Sequence, residues 1–103
     1  MKDSFRVKYY AGPTIYVPNA FSPNGDGKND IFKPVYIGIS RLKYFRVFTR
    51  YGQMVFETTQ SLKGWDGNLH GIPAVEGAYI WEVSGWDYQG KWQTEKGTVI
   101  LVK

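Results

Sequence analysis

The sequence predicts an all-β domain: an antiparallel immunoglobulin-like β-sandwich of about seven strands. Three observations carry that expectation. Short apolar/polar alternations recur along the chain, turn residues separate them roughly every 8–12 positions, and no ten-residue stretch shows a helical period. A small closed barrel is the alternative. Two long hairpins favour the sandwich, since each is expected to supply a sheet with one apolar face.

Taken in order, Ser4 to Tyr10 alternates, with Phe5, Val7 and Tyr9 on one side and Arg6 and Lys8 on the other. Ala11-Gly12-Pro13 breaks it, and Thr14 to Val17 is a short β-branched run ended by Pro18. After a polar loop, Ile31 to Ile37 reads as a strand whose Pro34 marks it as an edge. Lys43 to Arg50 sets Phe45 and Val47 against Tyr44, Arg46 and Phe48; Tyr51-Gly52 turns it, and Gln53 to Glu57 returns. Leu62 to Glu76, with Gly64, Gly67, Gly71 and Pro73, reads as loop. Ala78 to Tyr88 is the longest strand, with Tyr79, Trp81 and Val83 facing one way. Gln89-Gly90 turns it into Lys91 to Glu95, Gly97 allows a bend or bulge, and Thr98 to Val102 closes the domain. The expected core is Phe45, Val47, Tyr79, Trp81, Val99 and Leu101.

A chain of 103 residues with 43% hydrophobic and 21% charged residues is one packed domain. Its net charge of +4 is spread out, with no run of five like charges, so a nucleic-acid tail is not indicated. Without cysteine there is no disulfide, thiolate metal site or thiol nucleophile. No signal peptide is visible, and no apolar run approaches the roughly 18 residues of a spanning helix. Direct membrane insertion is therefore not expected, and the domain is expected to be monomeric. Met1 followed by Lys-Asp and a strand-like run reads as a fragment of a longer protein.

Candidate chemistry is sparse. The loop NAFSPNGDGKND (19 to 30) offers calcium ligands in Asn24, Asp26, Asn29 and Asp30. Aligned to an EF-hand loop, Asn24, Asp26 and Gly27 fall in register, but Ser22 stands where Asp belongs and Lys33 where the bidentate Glu belongs. A turn-rich scaffold, with Asx side chains bonding the backbone, is the other reading, and Lys28 and Lys33 beside the ligands favour it. No cofactor is expected. His70, the sole histidine, lies near Asp66 without a serine in register, and no spacing fixes Asp66, Glu76 and Asp87 together, so no catalytic residue is assigned. Trp65, Trp81, Trp86 and Trp92 suit either a core or a carbohydrate-binding strip, and the strip requires two exposed coplanar rings. Trp86 and Trp92 flank the Gln89-Gly90 turn as a cross-strand pair.

Four stretches together resemble a known family. VPNAFSPNGDGKNDIF (17 to 32), FRVFTRYGQMVFE (45 to 57), GWDGNLHGIPAVEGAYIWEV (64 to 83) and GTVILVK (97 to 103) resemble, in order, the motifs of the gliding-motility-associated C-terminal domain. This is the type B C-terminal domain of type IX secretion cargo in Bacteroidetes. Thr49 and Tyr51 replace the usual Asn and Trp, and Pro73 lies earlier than the usual proline before Gly77. These departures leave no role for a side-chain amide at position 49.

The resemblance implies a non-catalytic signal that carries an adhesin or enzyme from the periplasm through an outer-membrane translocon, read by a PorP/SprF-like partner. It implies a signal domain over 14 to 103, with 1 to 13 a linker, the tail of a preceding module or an extra edge strand. The terminal strand ends the polypeptide in that family. A signal shared by unrelated cargoes is read as a shape, which needs fixed loop backbones. The recognition candidates are accordingly Pro23, Asn24, Gly25, Asp26, Gly27, Asn29 and Asp30 in the first loop and Arg50 and Gly52 in the second motif. Trp65, Asp66 and Gly67 follow in the third, and Val99, Leu101 and Lys103 in the last strand. Arg50 is expected to pair with Asp26, Asp30 or Asp66.

Overall fold

The structure, a computed structural model, describes residues 13–23, 25 and 30–102. The expected strand at Ser4 to Tyr10, the loop residues Asn24, Asp26, Gly27, Lys28 and Asn29, and Lys103 lie outside the described residues. In chain order the strands are β1 (Thr14–Tyr16), β2 (Ala20–Phe21), β3 (Val35–Ile37), β4 (Ile39–Thr49), β5 (Met54–Thr58), β6 (Asn68–Leu69), β7 (Ile72–Pro73), β8 (Gly77–Asp87) and β9 (Trp92–Leu101).

The two long hairpins form as expected, but they do not make two sheets. β4 and β8 pair antiparallel along their lengths, so both hairpins join one five-stranded sheet in the order β2-β9-β8-β4-β5. Each hairpin alone leaves a long strand with an unpaired ladder, and joining them satisfies both ladders at once. The register places Phe45 opposite Val83, Val47 opposite Trp81 and Tyr79 opposite Val99, which gives one continuous apolar face. All six expected core residues are buried there.

Short pieces cover that face and complete the β-sandwich. Ile15, Val17 and Tyr36 bring in the antiparallel pair β1–β3, and Leu69 and Ala74 bring in the β6–β7 segment. Between them Phe32 and Trp65 exchange backbone bonds of 2.8 and 2.9 Å in an isolated antiparallel bridge. The cover has no long strand because the segment from Leu62 to Glu76 is rich in glycine. Its one hairpin turns through His70-Gly71, both at positive φ (55° and 81°), a type I′ geometry.

Three local expectations are corrected. The strand expected from Ile31 begins only at Val35, because Pro34 has no amide to donate and is buried against the core. The sheet is not wholly antiparallel: β2 lies parallel to β9, with Ile100 N–H donating to Asn19 and Val102 N–H to Phe21. Gly97 is neither bend nor bulge, since pairing runs unbroken from Thr98 through Lys96. A Cβ there would stand 2.8 Å from Cζ2 of Trp81, so glycine at 97 makes room for the indole laid across β9.

Candidate recognition site

The β4 C-terminus, the β8 N-terminus, the β9 C-terminus and β2 all meet at one end of the sheet, since Thr49 opposes Tyr79, Gly77 opposes Leu101 and Leu101 opposes Phe21. The four sequence motifs converge on this end.

The first loop is anchored at both ends by aromatic rings. Phe21 is buried against Phe32 and Trp65, with ring centres 5.5 Å apart in each case, and Phe32 meets Phe45 edge-on. Within the loop, Gly25 N–H donates to Asp30 Oδ1 at 3.0 Å, a side-chain-to-backbone bond that spans five residues. Pro23 rests on Gly67, where a Cβ would come 2.8 Å from its Cγ; Gly67 also stands at φ 82°, so both space and conformation require glycine.

The third motif is a knot of local bonds. Trp65 is 1% exposed, lies 5.0 Å from Tyr79 edge-on, and donates its indole N–H to Asn68 O at 3.0 Å. Asp66 Oδ1 accepts from Asn68 N–H at 3.0 Å while the residue itself stays exposed. Gly67 O accepts from Ala74 N–H, which fastens the loop to the β6–β7 segment.

The second motif turns through Arg50, Tyr51 and Gly52, with Thr49 and Gln53 closing the ladder and Gly52 at φ 95°. Thr49 Oγ1 accepts from the Tyr51 and Gln53 amides at 3.2 and 3.1 Å, so a hydroxyl organises the turn. The turn forms one wall of a cleft of about 390 Å³ whose other wall is Val75 to Tyr79. A second, more apolar cleft of similar size lies across the Val75–Tyr79 ridge, between Val55, Leu69 and Ile72. Tyr79 O–H donates to Val75 O at 2.6 Å and holds that ridge; burial raises its pKa.

The structure sorts the expected recognition residues. Pro23, Gly25, Asp30, Arg50, Gly52, Asp66 and Gly67 lie in the loops at this end of the sheet, whereas Asn24, Asp26, Gly27, Asn29 and Lys103 lie outside the described residues. Trp65, Val99 and Leu101 have their side chains inside the core, so on the folded domain they hold the surface up and do not form it. Of the expected Arg50 pairings, that with Asp26 lies outside the described residues and those with Asp30 and Asp66 do not occur: Arg50 is exposed, its guanidinium 5.4 Å from the Tyr51 ring centre, with no ion pair among the described residues. Too little of the surface favours fixing so long a side chain. Among the described residues no three metal-ligating side chains cluster, and His70 is exposed at its turn. Phe21 and Phe32 went unassigned in sequence; their signal was the pair of apolar dipeptides, Ala20-Phe21 and Ile31-Phe32, that brackets the polar loop.

The coplanar tryptophan strip that sugar binding requires is absent among the described residues. Trp65 is buried, and the Trp86 and Trp92 rings, 5.1 Å apart, meet at 72°. They are the expected cross-strand pair, directly opposite in register but edge-to-face.

The features at this end define a class: a small β-sandwich whose sequence motifs gather around a buried aromatic cluster. The family model of the CHU_C type IX secretion signal domain matches residues 15–101, and the chain belongs to that family. Membership assigns it a targeting role in export by the type IX system, to the cell surface or the medium. No curated protein matches the chain.

Proposed function

We propose that residues 14 to 103 form a non-catalytic type B signal, which takes a larger adhesin or enzyme from the periplasm across the outer membrane of a Bacteroidetes cell. Its reader is a PorP/SprF-like outer-membrane protein, and the domain acts as a monomer. One observation carries the reading: motifs scattered over the whole matched length meet at one end of the sheet, joined through Phe21, Phe32, Trp65 and Tyr79. Such an arrangement presents the first loop, the Arg50–Gly52 turn and the Asp66–Gly67 turn as one surface, independent of the cargo attached. Asn24, Asp26, Gly27, Asn29 and Lys103 are proposed to belong to the same surface.

The test is a fusion. Residues 1–103 behind a periplasmic reporter with its own signal peptide carry the reporter to the surface or medium of a type IX-competent host, and not of a host lacking the machinery. A reporter that stays periplasmic while the host's own type B cargo is exported overturns the reading.

A further inference from the structure

The opposite end of the sheet carries a patch that none of the motifs uses. In β4, pairing with β8 is irregular twice, with Ser40 and Lys43 as extra residues. Counting back in twos from buried Phe45 would turn Arg41 toward the core. The bulge at Lys43 shifts the alternation by one, so Leu42 faces inward and Arg41 faces out, directly opposite Trp86. The Arg41 guanidinium then lies 4.2 Å from the Trp86 ring centre and the Lys43 ammonium 5.9 Å from it. Trp92, 48% exposed, closes the cluster edge-on.

The charges here have no carboxylate partner among the described residues, unlike Arg46 on the same face, which is bound to Glu57 at 2.6 Å. Asp87, the nearest acid in sequence to Trp86, spends both oxygens on N–H donors of Gln89, Lys91 and Gln93.

We propose that this cationic-aromatic patch docks an acidic peptide segment of a partner protein, with carboxylates on Arg41 and Lys43 and an apolar side chain on Trp92. Arginine and tryptophan are the residues that most often dominate such contacts. A lipid surface needs about four to eight basic residues acting together, more than are gathered here. Single-stranded nucleic acid needs successive open ring faces, and one face of Trp86 is already covered by Arg41.

The experiment uses the whole chain and a fluorescein-labelled short peptide of alternating glutamate and threonine around one leucine, read by anisotropy. The glutamate peptide binds, the same peptide with glutamine in place of glutamate binds at least about tenfold more weakly, and affinity falls with salt. Arg41→Gln with Lys43→Gln lowers affinity about ten- to a hundredfold, roughly tenfold for each lost charge-assisted contact, while Lys63→Gln does not. If the double variant fails to fold, the glutamine peptide and the salt series on the parent decide. Absent binding, equal binding of the two peptides, or undiminished binding by a folded double variant overturns the proposal. So does capture of phosphatidylglycerol vesicles or oligo-dT without capture of the peptide. None of these results bears on the export assay, which reads the other end of the sheet.

Discussion

At the residue scale, Trp65 and Tyr36 make opposite predictions. Trp65 is a tryptophan in a glycine-rich loop, and its position in sequence points outward. Its indole instead fills the centre of the core, with its only polar atom satisfied by Asn68 O. Truncation to alanine is expected to remove about 3–5 kcal/mol, a large share of the roughly 5–15 kcal/mol of a small domain. A urea titration of Trp65→Ala checks it, and a midpoint near the parent's would place the ring outside the cooperative core. Tyr36 is the reverse case. Its hydroxyl is buried with no hydrogen-bond partner among the described residues, and burial drives its pKa well up. An unsatisfied buried hydroxyl costs roughly 1–3 kcal/mol, so Tyr36→Phe is expected to leave stability unchanged or raise it by up to about 1 kcal/mol. A lower melting temperature for Tyr36→Phe would show that the hydroxyl has a partner after all.

At the element scale, the β4–β5 and β8–β9 hairpins share one turn design with different chemistry at its first position. Thr49 holds its turn through a hydroxyl; Asp87 holds the other through a carboxylate that accepts from the Gln89 and Lys91 amides at 2.8 and 2.9 Å. The Lys91 amide bond does most to lower the Asp87 pKa. Burial opposes it, and the Gln89 amide, the Gln93 side chain and the Lys91 charge add to the lowering. A carboxyl whose folded pKa lies below its ordinary 3.8 contributes stability above that pH and loses it as pH falls through the folded value. Asp87→Asn is therefore expected to destabilise at neutral pH, with the difference from the parent shrinking below about pH 3.8. Thr49→Ala is expected to cost about 0.5–1.5 kcal/mol at every pH, since a hydroxyl does not titrate there. Thermal melts from pH 7 to pH 2 check both, and a pH-independent Asp87→Asn deficit would refute the assignment. Both hairpins were legible in sequence because alternation and a turn glycine are local signals. The joining of β4 to β8 was not, because nothing local in Lys43 to Arg50 names its partner, and the bulge at Lys43 hides the parity of everything before it. The site was legible as four motifs and illegible as one place, since two non-local pairings, β2 with β9 and Phe32 with Trp65, bring the first loop to Trp65.

At the scale of the whole molecule, the folded core and the export signal share residues, so a loss of export has two possible causes. Deleting Gly97 to Lys103 removes Val99 and Leu101, both fully buried, and with Leu101 the strand that holds Phe21. That deletion is expected to abolish export through unfolding, whatever a translocon reads. Asp30 is also ambiguous, because its carboxylate closes the first loop on Gly25. Arg50 separates the causes. It is exposed, has no ion pair among the described residues, and lies on a turn whose bonds come from Thr49 and the backbone. Arg50→Ala is therefore expected to change stability by no more than about 0.5 kcal/mol, as surface substitutions usually do. If the Arg50–Gly52 turn is part of what the translocon reads, the same variant cuts export of the fused reporter severalfold while its melting temperature stays at the parent's. Export and melting are measured on one fusion. Full export by Arg50→Ala would remove Arg50 from the recognition surface, and a fall in export matched by a fall in melting temperature would return it to the scaffold.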